Sequence, residues 1–243
     1  MSENTALYAA LENQFLTYEE LAAVPVEDNG EAMVAIGDGF SGKVFITDRR
    51  MTAYTGENIY VRSGLVPMLE RAQQELKSIL PGCSLEVVYG YRHLDIQHAK
   101  FEAHKERLLK EDPTLSGTAL KEAVHRFSAV PEVAGHPTGG AVDVRIKDSS
   151  VEKLPMGTEV AEYAMDTYTF SPFIAKEAWR NRQLLRCCML RAGFAPFDGE
   201  WWHFSFGDRE WAKYYNQPKA IYSQLRFTSE DATGEALTGA AAA

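Results

Sequence analysis

No run of about 18 apolar residues occurs in the 243-residue chain, so no segment is expected to span a membrane. The opening residues, Met1-Ser2-Glu3-Asn4, lack the basic start and apolar stretch of a secretory signal, which leads to the expectation of a cytoplasmic protein. Positive charge is in deficit. Lys and Arg number 25 against 34 Asp and Glu, for a net charge of −9, and this argues against nucleic acid as a partner because phosphate binding needs a basic face. Cysteine is scarce as well: Cys83, Cys187 and Cys188 are odd in number, two are adjacent, and none has C-x-x-C spacing. A disulfide framework is thereby excluded, and thiols that simply pack are expected. Neither an internal repeat nor the H-E-x-x-H helix motif of many zinc peptidases occurs.

What is present suits one globular domain. Hydrophobic residues make up 45% and charged residues 24%, ordinary values for a chain long enough to bury a substantial core. The apolar positions 65, 68, 69, 72, 76, 79 and 80 have helical period, and Pro81-Gly82 stops that helix. Leu85, Val87 and Tyr89 alternate as a strand that delivers Tyr91-Arg92 at its end. Lys43–Thr47 reads as another strand, and helices are expected from His93 to about Lys110 and near Ala119–His125. In a strand over Ala141–Ile146, Val142, Val144 and Ile146 should face the core, with Asp143 and Arg145 opposite. Ser149–Ser171 is polar and turn-rich, with the character of a flap. A long amphipathic helix over Phe173–Arg191 should end at Gly193, before a last strand over Trp201–Phe206. Strands and helices do not alternate strictly, so an α+β fold is expected, a single domain with a small antiparallel sheet flanked by helices. Residues 1–227 are assigned to the domain and 228–243 to a disordered tail.

The chemistry concentrates in two segments, Gly135-His136-Pro137-Thr138-Gly139-Gly140-Ala141-Val142-Asp143 and Glu200-Trp201-Trp202-His203. Together they supply two histidines, an aspartate and a glutamate that need not be a ligand. A catalytic zinc site uses about three N/O ligands, an open position and a nearby general base, so this inventory fits metal-assisted hydrolysis. Residues three apart on an unbroken strand face opposite sides, so Glu200 and His203 can share a site only if Glu200 lies off the strand, and Asp198-Gly199 makes a turn there reasonable. Trp201 and Trp202 are expected to pack. His93, His98, His104 and His125 have no ligand spacing and are expected on solvated helix faces.

Gly90-Tyr91-Arg92, the G-H-x-x-G-G-A-V-D segment and E-W-W-H, with Ala178–Arg186 and Ala192-Gly193-Phe194 between them, resemble in order and spacing the D-alanyl-D-alanine dipeptidases of the vancomycin-resistance type. These zinc D,D-peptidases are related to D-Ala-D-Ala carboxypeptidases and to the hedgehog amino-terminal domain, and the resemblance runs from roughly Ile46 to Leu225. It implies one Zn²⁺ per chain held by His136, Asp143 and His203, with Glu200 as general base and Arg92 stabilising the oxyanion. The implied substrate is a small D-amino-acid dipeptide, D-alanyl-D-alanine, cut to free D-alanine. The family holds the substrate amine with an acid downstream of a Met-Gly-Thr segment. Here Met156-Gly157-Thr158 is followed by Glu159, Glu162 and Asp166, of which Glu162 is the first candidate. Many relatives carry Ser two residues before the first zinc histidine, where this chain has Ala134. The alternatives are a D,D-carboxypeptidase or endopeptidase acting on longer peptidoglycan stems, and a non-catalytic zinc-stabilised binding module.

Overall fold

A computed structural model describes residues 3–37, 39–149 and 153–232. In chain order the elements are α1 (Glu3–Glu12), α2 (Tyr18–Ala22), β1 (Met33–Ala35), β2 (Lys43–Val44), α3 (Thr52–Thr55), β3 (Tyr60–Arg62), α4 (Leu65–Ile79), β4 (Cys83–Tyr89), α5 (Leu94–Glu111), α6 (Gly117–His125), β5 (Ala141–Asp148), α7 (Lys176–Ala192), β6 (Ala195–Pro196), β7 (His203–Ser205), α8 (Arg209–Tyr214) and α9 (Ser229–Ala232). The fold is α+β. Five strands form one sheet in the order β2-β4-β5-β7-β6, while β1 and β3 form a separate antiparallel pair. All pairings in the larger sheet are antiparallel except the edge pair β2–β4, which is parallel. Of the strand expected over Lys43–Thr47, only Lys43 and Val44 pair in register; Thr47 instead turns its hydroxyl onto the Val88 carbonyl at 3.1 Å.

The two faces of the sheet divide structure from chemistry. Val142, Val144 and Ile146 are fully buried on one face, packed with Leu65, Leu69 and Leu76 of α4 and Leu185 and Met189 of α7. Each such side chain contributes about 2 kcal/mol of transfer free energy. On the other face, register aligns Tyr89 with Asp143 and Asp143 with His203 across three neighbouring strands. Directly paired residues point to the same side of a sheet, so the row is a consequence of pairing alone. α7 ends at Gly193, whose φ of 100° is the left-handed conformation that closes a helix without a Cβ penalty.

The segment read as a flap is tied down over its described part, and Ser150, Val151 and Glu152 lie outside the described residues. The wholly buried guanidinium of Arg182 on α7 donates to the carbonyls of Met156 (2.7 Å), Asp166 (2.7 Å) and Tyr168 (2.8 Å). Burial pushes Arg182 down to about 10, so these carbonyls replace much, not all, of its lost hydration. In the expected tail, Ser229–Ala232 forms one helical turn, preceded by Thr228, which bonds to Asp231, and residues 233–243 lie outside the described residues. Cys83 and Cys188 are buried as expected, whereas Cys187 is exposed.

The segments around Asp28–Glu31 and Ser223 are both pinned to β3. Arg62 donates to Asp28 at 2.7 Å, to the Glu31 carbonyl at 2.5 Å and to the Ser223 carbonyl at 3.1 Å. Burial would raise the pKa of Asp28, but hydrogen bonds from Ser223 and Gly30 and the charge of Arg62 outweigh it and bring it down to about 2. A carboxyl lowered in the folded state stabilises above its unfolded value near 3.9 and loses that contribution as pH falls through its folded value. Asp28→Asn is therefore expected to cost about 1 kcal/mol at neutral pH after allowance for solvent screening. The gap to the parent should shrink below pH 4 and close near pH 2, as read from urea unfolding at a series of pH values.

Candidate active site

His136 opens a short 3-10 turn, His136–Thr138, that closes at Gly139 with φ of 73° and leads directly into β5. A side chain at Gly139 would be strained by that φ, and its Cβ would sit 2.5 Å from Met33 Sδ. The turn returns His136 over the start of the strand that carries Asp143. Its Nδ1 donates to the Gly90 carbonyl at 2.7 Å, which leaves Nε2 as the lone-pair nitrogen, 3.2 Å from Asp143 Oδ1. Gly90 has no room for a Cβ, which would lie 2.6 Å from the Tyr60 carbonyl oxygen. His203, across from Asp143 on β7, places Nδ1 3.1 Å from the same Oδ1 and Nε2 3.5 Å from Glu210 Oε2. One ligand atom from each of His136, Asp143 and His203 lies within 4.8 Å of the others, and all three residues are buried.

The electrostatics are those of a site arranged for a cation. Burial would raise the Asp143 carboxyl, but the two imidazoles outweigh it and hold it well below the ordinary range. Burial and the Arg92 charge push His136 down to about 4, so it is neutral. Burial alone would favour neutral His203, yet Asp143 and Glu210 raise it well above its ordinary value. Two imidazoles and a carboxylate, one imidazole oriented by a carbonyl and the other by a carboxylate, match the donor set and outer support of a catalytic zinc site.

Glu200 does lie off the strand. Its N–H bonds to the Phe197 carbonyl at 3.0 Å and the His203 N–H to its own carbonyl at 3.0 Å, a tight turn that swings the carboxylate to 4.0 Å from His203 Nδ1. Burial, opposed by the charges of His203, Lys100 and Arg92, raises Glu200 to about 7. Arg92 lies over the Tyr89 ring at 4.6 Å, and its Nη1 donates to Gln97 Oε1 at 2.7 Å. Its Nε is buried without a hydrogen-bond partner among the described residues, which marks a donor available to a ligand. These five residues line one pocket.

Glu162 is placed elsewhere. It accepts the Glu159 N–H at 2.9 Å and lines a neighbouring hollow with Lys153 and Trp201, while its neighbours Ala161 and Tyr163 reach the pocket. Glu159 pairs with Lys153 at 2.6 Å, and Asp166 accepts from Tyr8 and from Ser171. Trp201 and Trp202 are buried as expected; Trp201 Nε1 donates to Thr158 Oγ1 at 2.8 Å, and Trp202 also forms part of the pocket wall. The expectation of solvated histidines holds for His98 and is corrected for three others. His93 caps α5 by accepting the Asp95 N–H and stacks on Tyr54, His104 packs on the Tyr163 and Phe127 rings, and His125 accepts the Val130 N–H at 3.3 Å. All three are buried because their rings serve as packing surface; His93 and His125 each satisfy one ring nitrogen locally, whereas His104 Nε2 is buried without a hydrogen-bond partner among the described residues. The sequence reading also missed Lys100, Ser128 and Glu210, which line the pocket.

With this geometry in place, the comparisons with known proteins decide the family. The family model described as D-ala-D-ala dipeptidase, Peptidase_M15, matches residues 16–223. The chain belongs to the D-Ala-D-Ala dipeptidase family. It is accordingly a metallopeptidase. A D-alanyl-D-alanine dipeptidase of Synechocystis sp. is 31% identical over 232 residues, 84% of this chain and 94% of that protein. The D-alanyl-D-alanine dipeptidase of Escherichia coli K12 is 34% identical over 71 residues, 29% of this chain and 37% of that one. Among solved structures, the LD-carboxypeptidase LdcB has a TM-score of 0.43 at 17% identity, covering 80% of this chain and 77% of its own. The vancomycin-resistance D,D-dipeptidase VanXYg has a TM-score of 0.38 at 17% identity, covering 90% and 73%. No helix among the described residues is long and apolar enough to cross a membrane.

If the three-donor cluster holds the metal, His203→Ala should leave well under about 0.2 metal ions per chain after dialysis, while Glu200→Gln retains about one. Glu210→Gln should weaken zinc binding about tenfold through loss of the imidazole's orientation. Elemental analysis and chelator competition, with circular dichroism to verify folding, measure all three.

Proposed function

We propose that the protein is a zinc-dependent D,D-dipeptidase that hydrolyses D-alanyl-D-alanine to free D-alanine. The observation that carries this reading is Glu200: a carboxylate turned to 4.0 Å from His203, beside the buried cluster of His136, Asp143 and His203. A group poised near neutrality can take a proton and return it within one cycle. The near full-length relationship to a curated dipeptidase supports the substrate class.

His136 Nε2, one Asp143 carboxylate oxygen and His203 Nδ1 would hold the zinc ion. When bound, Zn²⁺ supplies Lewis acidity, which polarises the scissile carbonyl and makes water acidic enough to attack at neutral pH. Glu200 removes the proton from the attacking water and delivers it to the leaving nitrogen. Arg92, always charged and with a free Nε, stabilises the negative charge that develops on the carbonyl oxygen. Its guanidinium is held by Gln97 and the Tyr89 ring, so little reorganisation is needed as charge appears.

A second reading, trimming of longer D-Ala-D-Ala-terminated peptides, is favoured by one specific observation. None of Glu159, Glu162 and Asp166 is among the residues that line the pocket, so that segment brings no carboxylate to grip a free amine. Glu162 remains the proposed amine anchor only if substrate draws the segment inward. The test is D-alanine release from D-Ala-D-Ala beside a D-Ala-D-Ala-terminated tripeptide, using zinc-loaded protein. The dipeptide should be cleaved and the tripeptide much more slowly; equal rates would move the assignment to a carboxypeptidase. Glu200→Gln should lower kcat by about 10³-fold with zinc retained, and undiminished turnover in that variant would remove Glu200 as the base.

A further inference from the structure

Besides the histidine cluster, two cations, Arg92 and Lys100, stand among the described residues that line the pocket, and Lys100 has no role in activating water. It lies on α5 one turn beyond Gln97, on the same helix face. That face is fixed against the pocket wall, because Gln97 Oε1 accepts from Arg92 at 2.7 Å and its Nε2 donates to the Ala129 carbonyl at 2.8 Å. Lys100 is half-buried, and its neighbours act on it only through space: Arg92 and Arg50 repel it, Glu200 and Asp143 attract it. Asp48, close enough to feel its charge, is already held by Arg50 at 2.6 and 2.8 Å. Repulsion from Arg92, then burial, pushes the Lys100 ammonium down to about 8, so it is still charged at pH 7. A cation held beside another cation in a partly dry pocket is relieved by an anion.

An independent observation falls on the same wall. Ser128, 6% exposed, has its Oγ buried without a hydrogen-bond partner among the described residues, and it too lines the pocket. It immediately precedes Ala129, whose carbonyl is bonded to Gln97, so the hydroxyl lies beside the helix face that carries Lys100. An orphaned buried hydroxyl calls for a ligand atom, and a hydroxyl with an ammonium makes a donor pair suited to a carboxylate. The carboxylates of the pocket, Asp143, Glu200 and Glu210, all lie against His203, and that side repels a substrate anion. The substrate's own chemistry fixes the remaining choice. In a peptide cut at its last bond, the free α-carboxylate is one carbon away from the nitrogen that Glu200 protonates, and Lys100 is within range of the Glu200 charge.

We propose that Lys100, assisted by Ser128, forms the subsite for the free α-carboxylate of the leaving residue and so makes the enzyme selective for peptides with an unblocked C-terminus. This rests on the peptidase reading of the site. The subsite determines which bond is presented to Glu200: the last one, with a carboxylate anchored beyond it. Substrates whose C-terminus is amidated or extended lose that anchor.

The test compares kcat/KM for D-Ala-D-Ala and its C-terminal amide in the parent, Lys100→Met, Lys100→Arg and Ser128→Ala. The parent should prefer the acid by about 50-fold, the worth of a charge-assisted hydrogen bond in a partly dry site. Lys100→Met should reduce the preference to under about fivefold, with the loss falling on KM for the acid. Lys100→Arg should restore part of it, and Ser128→Ala should weaken it several-fold. A Lys100→Met protein that keeps the parental acid-over-amide ratio, or a parent with no preference, overturns the proposal. Calorimetric binding of both peptides to zinc-loaded Glu200→Gln, with and without Lys100→Met, separates the subsite from the chemistry. Acid-selective binding that needs Lys100, in a parent that cleaves neither peptide, would leave the subsite standing and sink the peptidase reading. Absence of acid-selective binding would sink the subsite, whatever is cleaved.

Discussion

Asp143 is a carboxylate set almost wholly out of water between two imidazoles, and the order of the site follows from what that burial requires. An isolated carboxylate in such a place would cost several kcal/mol or would protonate. His136 at 3.2 Å and His203 at 3.1 Å remove that penalty without a metal, at the expense of a protonated His203. Cation binding would exchange the proton for a divalent ion at the same three atoms, so affinity for the ion is expected to rise with pH. Everything that orients the imidazoles then becomes part of the site: the Gly90 carbonyl on His136 and the Glu210 carboxylate on His203.

The fold supplies this cluster through register. β5 places Val142, Val144 and Ile146 in the core and Asp143 on the opposite face, and pairing with β4 and β7 puts Tyr89 and His203 beside it. Tyr89 in turn carries the Arg92 guanidinium on its ring. A slip of one residue in either pairing would turn the neighbouring strand's residues to the other face. Core packing and the geometry of the candidate metal ligands are thus one constraint. The turn through Gly139 and the turn through Glu200 then each bring in one group that no strand could place.

Much of this was legible in the sequence where a local rule applied. The period of α4, the alternation of β5, the Gly193 stop of α7 and the parity argument that forces Glu200 off its strand all depend on residues close in sequence. The resemblance located His136, Asp143, His203, Glu200 and Arg92, which the structure brings into one pocket. Less legible were features set by distant partners. The parallel edge pairing of β2, the burial of His93, His104 and His125, and the arrival of Lys100, Ser128 and Glu210 in the pocket wall depend on how α5, α6 and α8 dock. Ser149–Ser171 has the character of a flap because it is polar and turn-rich, and the anchoring of its described part cannot be read without knowing that Arg182 points inward. Glu162 is offered by the resemblance, as one of three acids downstream of Met156-Gly157-Thr158, and side-chain direction in an irregular segment has no period to read.

Metal dependence is tested most directly by titrating zinc into chelator-stripped protein while following D-alanine release from D-Ala-D-Ala. No turnover is expected without metal, then a linear rise and saturation at one zinc per chain. Turnover by the metal-free protein, or none once one zinc is bound, would contradict that expectation.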